Sequence, residues 1–286
     1  MNGYEYILTK QIAWATNRGI PLIGSKVSRG RPAYTCKLDQ NLFQSLLPVV
    51  RESFAAGDGS ELGSSGQPGK MQAVHSSSAL AVNVFQYWKS ISAVPLIAVA
   101  CGLCREGSDV SCDIQFEEKY PINDSFSFHP NIDVVIHNKP EARIKRFAIE
   151  SKFSESYGAY KHSGLKQKYL DIDLWDDIPS LRTFAKRISP NDKEFKHLHP
   201  AQLIKHILAM KRQFGRRGFR LLYLWYDVLG EQGMCHQDEV AKFTEVTKED
   251  GLSFHSLTYQ ELIIILANQL RSGHHEYIRY LTERYL

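Results

Sequence analysis

Residues 219–227 form a nearly continuous apolar run, FRLLYLWYD, and this run constrains the fold more than any other segment. A short run this apolar is typical of a strand that is buried on both faces of a sheet. Three earlier segments, Ile114–Tyr120, Ile132–His137 and Arg146–Phe153, are rich in β-branched and aromatic residues and predict three successive strands. Because helical periodicity surrounds these strands, we expect an α/β domain with a mixed central sheet flanked by helices on both faces.

The spacing of apolar residues predicts most of the remaining elements. A further strand is expected over Leu252–Leu257, and Thr258 with Glu261 has the pattern of a capping box at the start of the helix that follows it. Residues 161–199 are polar, contain Pro179 and Pro190 and are followed by Pro200, which predicts an irregular insertion. The predicted helices are Asp39–Phe54, Ser76–Trp88, Val94–Leu103, Ala201–Phe214, Gln237–Val246, Tyr259–Leu270 and His274–Leu286.

The sequence predicts a single domain over residues 1–286. Residues 1–70 are an N-terminal elaboration, 76–227 the core with the insertion at 161–199, and 228–286 a C-terminal extension. The elaboration ends in a tract rich in glycine and serine, Gly57–Gly69, which cannot pack a core and is expected to be a mobile loop.

Composition excludes several classes of protein. Hydrophobic residues make up 43% of the chain and charged residues 23%, which is too apolar for a disordered protein. The longest apolar stretch, Ala93–Leu103, is far shorter than the ~20 residues of a membrane span. No secretory signal is visible, and the five cysteines are few and odd in number, so we expect reduced thiols in a cytoplasmic protein.

Two charged residues lie on one face of a predicted strand. Glu150 and Lys152 are two residues apart, and strand side chains alternate between faces, so both point the same way. The preceding strand carries Asp133 near its start, and residues 138–142 have the composition of a turn that pairs the two strands antiparallel. Asp133 and Glu150 are therefore expected to meet.

Asp133, a gap of sixteen residues and then Glu150-Ser151-Lys152 resemble the signature of the PD-(D/E)XK phosphodiesterases, the restriction-endonuclease-like superfamily. The order of predicted elements from Ser76 to Asp227 also resembles the core of that superfamily. The resemblance implies a metal-dependent nuclease, with DNA as the expected substrate. It implies that Asp133, Glu150 and the carbonyl of Ser151 bind Mg²⁺ or Mn²⁺, and that Lys152 orients or deprotonates the attacking water.

Many members of this superfamily carry a further glutamate on the helix before the strands. Residues 76–103 contain no acid here. Glu61, in the glycine-rich tract, is the nearest upstream candidate for a metal ligand, and a solvated loop charge is the alternative interpretation. Glu117 and Glu118 lie on the first predicted strand.

The helix over Ala201–Phe214 carries the candidate nucleic-acid contacts. Gln202 and His206 are four residues apart and resemble the glutamine-containing helix beside the active site in one branch of the superfamily. No acid occurs from residue 205 to 220, which suits contact with phosphates, although a solvated basic face is an equal alternative. The basic candidates are Lys205, Lys211, Arg212, Arg216 and Arg217.

Two other functions remain open at this point. A protein of the same fold without catalytic activity would bind nucleic acid through the basic residues alone. Asp171 and Asp173 could serve a nucleotidyltransferase, although no glycine-serine phosphate loop precedes them. Cys101 and Cys104 with Cys112 suggest zinc, but a fourth ligand is missing and buried thiols are favoured. The oligomeric state is left open.

Overall fold

The computed structural model describes residues 1–26, 29–57, 59–64, 66–159, 162–270 and 272–286. Its centre is a five-stranded mixed sheet. A short antiparallel pair, β1 (Leu22–Ile23) and β2 (Tyr34–Thr35), lies outside it. The strands of the central sheet, in spatial and chain order, are β3 (Ser111–Lys119), β4 (Asn131–Asn138), β5 (Arg146–Lys152), β6 (Phe219–Trp225) and β7 (Phe254–Thr258).

Pairing within the sheet changes direction once. β3, β4 and β5 pair antiparallel, as the short turn after β4 predicts, whereas β5, β6 and β7 are parallel. Parallel neighbouring strands need a crossover connection. Helices form this connection between β5 and β6 and again between β6 and β7. β6 lies between two strands and is buried on both faces, which explains its apolar run.

Helices cover both faces of the sheet, as predicted. On one face, Ile149 and Leu224 pack in a core with the helices from both ends of the chain. On the other face, Ala148 and Tyr223 pack in a second core with the helices between residues 167 and 249. The helices are α1 (Gly3–Asn17), α2 (Pro48–Ala55), α3 (Ser77–Ser90), α4 (Val94–Ala100), α5 (Gln167–Leu170), α6 (Pro179–Ile188), α7 (Pro200–Phe214), α8 (Glu231–Glu249), α9 (Tyr259–Gln269) and α10 (His275–Tyr285).

The N-terminal half departs from the sequence predictions. The helix predicted over Asp39–Phe54 is two elements, a 3-10 helix at Leu38–Asn41 and α2, because the chain between them is irregular and Pro48 starts a new helix. α1 was not predicted, since its buried residues include polar Gln11 and its apolar stripe is weak. Further 3-10 turns occur at Lys70–Gln72 and Glu155–Tyr157.

The segment 161–199 is more ordered than its composition predicts. It contains α5 and α6, and Pro179 occupies the first turn of α6, where proline is tolerated. The buried residues Trp175 and Phe184 attach the segment to the second core. The predicted capping box at Thr258 is confirmed, with Glu261 bonded to the Thr258 backbone. In the described part of the chain, no helix has the length and apolarity needed to cross a bilayer.

Candidate active site

Asp133 and Glu150 come together where β4 begins and β5 ends. Val134 pairs with Ile149, and this register brings Asp133 beside Glu150 on the neighbouring strand. The backbone N–H of Ser151 donates a hydrogen bond of 2.7 Å to Oδ2 of Asp133. Lys152 Nζ lies 2.5 Å from Oε1 of Glu150. The three residues of the predicted motif therefore form one contiguous cluster.

The second oxygen of Glu150 is held from the opposite side by α7. His206 Nε2 lies 2.7 Å from Oε2 of Glu150, and both side chains are almost fully buried. The Glu150 side chain is thus held between Lys152 and His206, with no solvent access of its own. His206 was predicted to contact nucleic acid, and the structure places it behind the acidic cluster instead.

Charges around Glu150 determine its protonation state. Burial on its own would raise the pKa of Glu150, but Lys152 and His206 outweigh burial and lower that pKa to about 2. Burial opposes the charge of Lys152, yet Glu150, Asp133 and Glu155 together raise the pKa of the lysine above its ordinary value. Glu150 is therefore an anion and Lys152 a cation throughout the neutral range.

Acidic side chains outnumber basic ones in the cluster. Glu117 lies between Phe116 and Glu118, which pair with Val134 and Ile132 of β4, and its charge acts on Asp133. Burial and then the charges of Glu61 and Glu150 raise the pKa of Glu117 to about 7. Burial and then Glu150 raise the pKa of Asp133 well above 3.8. Two acids that are reluctant to ionise beside a third that is ionised mark a position where a cation is favourable.

The backbone of Glu117 is itself strained. Its φ of 54° lies in the left-handed region, which side-chain-bearing residues seldom occupy within a strand. Its side chain accepts a hydrogen bond of 2.9 Å from Nδ2 of Asn131. The sequence predicts Glu117 on the first strand but does not link it to the site. The pairing register of the β3–β4 hairpin is the signal that does so.

Glu61 lies near this group. Burial is the largest effect on Glu61 and raises the pKa of its carboxyl group. A hydrogen bond from Ser78 lowers this pKa, and the charge of Glu155 raises it further. The Glu61 carbonyl accepts a hydrogen bond of 3.0 Å from Met71 N, which ties the tract to the turn that precedes α3. Asp58 and Ser65, which also belong to the tract predicted to be mobile, lie outside the described residues.

The donor chemistry of the cluster fits a hard divalent cation. Carboxylate and carbonyl oxygens are what Mg²⁺ and Mn²⁺ prefer, and a bound cation would offset the burial and the mutual repulsion that raise the pKa values of Asp133 and Glu117. Among the described residues, no group of three or more Asp, Glu, His or Cys side chains is arranged to hold a metal ion. Protein ligation by two carboxylates, completed by a carbonyl and water, is the pattern common for Mg²⁺.

The basic residues of α7 and its following turn are mostly paired within the protein. Lys211 contacts Asp177 at 2.6 Å, and Arg212 contacts Asp124 at 2.7 Å. Arg216 reaches Asp177 and donates to the carbonyl of Asp250 at 2.9 Å.

Other residues of this group sit in different surroundings. Lys205 is half-buried; burial lowers its pKa, and the charge of Glu150 partly offsets this. Arg217 is exposed and forms no ion pair with any described residue. Gln202 is half-buried on α7, one turn before His206.

The alternative sites receive less support. Asp171 and Asp173 are both exposed, and Gln167 donates to Asp171 at 2.7 Å. Cys101 is buried, and burial raises the pKa of its thiol, as favoured for a packing residue. Cys112 is exposed on β3. Ser76 caps α3 by accepting a hydrogen bond from Ala79 N, which supports the capping interpretation of the serines.

A five-stranded mixed sheet between two helical layers, with Asp133, Glu150 and Lys152 at one end, defines a restriction-endonuclease-like protein of the PD-(D/E)XK superfamily. The family model described as Restriction Endonuclease associating with ARP matches residues 9–286, so the chain belongs to that family. Membership places the chain among nucleases in general. Comparisons with curated proteins and with solved structures return no match.

Proposed function

We propose that this protein is a divalent-metal-dependent nuclease that hydrolyses phosphodiester bonds in DNA. The observation that carries the proposal is the meeting of Asp133, Glu150 and Lys152 in one partly solvent-accessible cluster. Asp133 and Glu150, with the carbonyl of Ser151, would hold Mg²⁺ or Mn²⁺. When bound, such an ion polarises the phosphate and lowers the pKa of a coordinated water.

The protein's own residues supply the rest of the chemistry. Lys152 carries its proton at neutral pH, because the surrounding acids raise its pKa. It therefore acts as a cation that orients the attacking water and stabilises the negative charge that develops on the phosphate oxygens. His206 holds Glu150 in place from the buried side. Burial of both partners keeps this geometry fixed while Lys152 remains 15% exposed to solvent.

Activity on DNA is the direct test. The protein is incubated with supercoiled circular DNA and with linear DNA in Mg²⁺, in Mn²⁺ and in EDTA. We expect cleavage with the metals and none in EDTA, and the Asp133→Asn variant should be inactive under all conditions. Cleavage that persists in EDTA, or in Asp133→Asn, would contradict the proposal. Cleavage of the circular substrate also distinguishes an endonuclease from an exonuclease.

The inactive binding protein makes a different prediction in the same experiment. It would retain DNA with equal affinity in Mg²⁺ and EDTA and would cleave nothing. A nucleotidyltransferase would bind nucleoside triphosphates through Asp171 and Asp173, and Asp133→Asn would leave that binding unchanged. The grouping of buried acids around Asp133 favours the metal-dependent nuclease over both, because a protein that only binds polyanions gains nothing from acids held together.

A further inference from the structure

Three lysines near the candidate active site have no acidic partner within the described part of the chain. They are Lys166 before α5, Lys168 on α5 and Lys205 on α7. The basic residues further along α7, by contrast, mostly pair with acids. The first acid that follows α5, Asp171, accepts a hydrogen bond of 2.7 Å from Gln167 instead. The charges of the three lysines are therefore available to an anionic ligand.

Lys205 connects this group to the catalytic cluster. It directly precedes His206 on α7, and His206 Nε2 lies 2.7 Å from Oε2 of Glu150. Burial lowers the pKa of Lys205, the charge of Glu150 raises it and the charge of Lys166 lowers it, in agreement with a position between the two. An anion bound to Lys205 is therefore next to the proposed site of hydrolysis.

Aromatic rings hold two of the lysines on one surface. Lys168 Nζ and Lys205 Nζ lie 5.2 and 5.9 Å from the ring centroid of Tyr169, within the range of a cation–π contact. Lys168 Nζ also lies 4.3 Å from the ring centroid of Phe126. The rings of Phe126 and Tyr169 meet edge to face, with centroids 5.0 Å apart. Contacts with uncharged rings position both lysines without neutralising them.

An exposed phenylalanine borders this surface. Phe128 lies in the connection between β3 and β4 and is 75% exposed, more than any other phenylalanine in the chain. Two residues before it, Phe126 is buried in the second core beneath Lys168, so the Cα atoms of Phe126 and Phe128 are at most about 7 Å apart. Five residues along the chain from Phe128 is Asp133, which limits that Cα distance to about 18 Å. Phe128 is thus close to the lysines and to the candidate active site.

We infer that this surface binds a single-stranded segment of nucleic acid next to the scissile phosphate. The inference rests on the proposed nuclease function. The lysine–aromatic surface consists of Lys166, Lys168, Tyr169, Lys205 and Phe128. Its lysines bind the phosphates of the segment, and Phe128 stacks on one of the bases. Bases within a duplex are already stacked on their neighbours, so an exposed aromatic ring beside cations favours an unpaired strand.

The lysines favour nucleic acid over an apolar partner protein, which could also cover Phe128. A protein that buries Phe128 alone gains nothing from unpaired cations beside it. A single strand offers a flat apolar base and a negatively charged backbone together, and cations with aromatic rings are what proteins use to bind it. The surface therefore matches both parts of this ligand.

Binding of three DNAs tests the contribution of Phe128. They are a single-stranded oligonucleotide, an abasic strand of the same length and a blunt duplex, and affinities are measured by fluorescence anisotropy in EDTA, which prevents metal-dependent cleavage. Wild-type protein should bind the single strand about tenfold more tightly than the abasic strand or the duplex. Phe128→Ala should lose this tenfold preference, whereas Phe128→Trp keeps a stacking ring and should retain it. Ile264→Ala, which removes an exposed apolar side chain from α9, is the matched control and should behave as wild type.

The salt dependence of binding tests the lysines. Lys168→Gln and Lys205→Gln should each reduce the slope of log affinity against log salt for the single strand by about 0.7. Lys242→Gln removes an exposed cation from α8 and should leave the slope unchanged. Phe128→Ala should also leave the slope unchanged, because it removes no charge.

Several results would overturn the inference: equal wild-type affinity for the three DNAs, an unchanged preference in Phe128→Ala, or wild-type slopes in both lysine variants. Cleavage assays on the same protein separate this inference from the proposed function. Metal-dependent cleavage without a preference for the single strand in binding removes the lysine–aromatic surface alone. A preference for the single strand without cleavage under any metal removes the nuclease alone.

Discussion

His206 donates from Nε2 to Oε2 of Glu150 across 2.7 Å, and neither side chain is more than 1% exposed. The other oxygen of Glu150 is held by Lys152. A buried carboxylate is costly unless both oxygens are compensated, so the histidine on α7 and the lysine on β5 form a single unit with Glu150. This unit links the helical layer of the second core to the end of the sheet where the candidate active site lies.

The first prediction concerns removal of the histidine. His206→Leu leaves Oε2 of Glu150 buried and unpaired, and should destabilise the protein by about 2–4 kcal/mol at pH 7. His206→Gln keeps an N–H donor and should cost markedly less. Chemical denaturation of both variants measures the difference. Equal losses would show that His206 contributes packing and not a hydrogen bond.

The pH dependence of that loss has a definite sign. The pKa of Glu150 is lowered to about 2 from 4.5, so its pairing contributes stability above pH 4.5 that is lost as the pH falls toward 2. Removing His206 raises the pKa of Glu150 and reduces this contribution. The stability difference between wild type and His206→Leu should therefore be largest near neutral pH and shrink between pH 4.5 and 2.

Metal-binding measurements should distinguish the function of Asp133 from that of Lys152. Asp133→Asn can keep the hydrogen bond from Ser151 N but loses its negative charge, so it should abolish Mg²⁺ or Mn²⁺ binding with the fold intact. Lys152→Met removes a cation that competes for Oε1 of Glu150, so it should retain metal binding while losing cleavage. Isothermal titration calorimetry, with circular dichroism as the folding control, measures both effects. Loss of metal binding in Lys152→Met would contradict the assignment of metal binding to Asp133 and of the cleavage step to Lys152.

Sequence patterns predicted the fold because it depends on local signals. The apolar run at β6, the antiparallel turn after β4 and the capping box at Thr258 are all encoded by neighbouring residues. The motif spacing was sufficient to bring Asp133 and Glu150 together, since one hairpin register decides their separation.

Long-range contacts explain what the sequence did not reveal. The pairing of His206 with Glu150 joins residues 56 positions apart through the packing of α7 on the sheet, which periodicity does not specify. The basic residues of α7 meet acids from distant loops, Asp124 and Asp177, and those partners could not be paired from charge counts. On α1, the buried polar residue Gln11 donates a hydrogen bond to the carbonyl of Arg284, and this distant partner could not be predicted from the sequence of α1 alone.

Glu117 should make stability depend on pH in the metal-free protein. Its pKa is raised from 4.5 to about 7, so the folded state retains a proton that the unfolded state has lost. Stability from this group is therefore present below pH 4.5 and is lost as the pH rises through 7. Glu117→Gln should be more stable than wild type at pH 8 in EDTA by about 1–2 kcal/mol, and similar at pH 4.5.

Thermal unfolding in EDTA over pH 4.5–8 checks this expectation. Glu52→Gln removes an exposed carboxylate from α2 and serves as the control, because it should leave the pH profile unchanged. If Glu117→Gln shows the same slope as wild type, the raised pKa that burial and the charges of Glu61 and Glu150 give Glu117 is absent in solution.

Arg216 and Arg217 are neighbours with different expected functions. Arg217 is exposed and unpaired among the described residues, so it is free to contact a DNA phosphate. Arg217→Ala should reduce the slope of log affinity against log salt by about 0.9, without loss of stability. Arg216 is tied to Asp177 and Asp250, so Arg216→Ala should lower stability more than it changes the slope. If the slope of Arg217→Ala equals that of wild type, Arg217 does not contact a DNA phosphate and belongs to a solvated basic face.

Glu61 provides the last prediction, because its effect on Glu117 makes it the candidate for the upstream acid of the motif. The charge of Glu61 contributes to the raised pKa of Glu117, so a bound cation near both would relieve repulsion between them. Glu61→Gln should weaken Mg²⁺ or Mn²⁺ binding, and mainly in the DNA complex if the glycine-rich tract closes over the substrate. Metal titrations of both proteins, with and without DNA bound, measure this. If the affinities and the cleavage rate of Glu61→Gln equal those of wild type, the tract is only a linker, and the metal site depends on Asp133 and Glu150 alone.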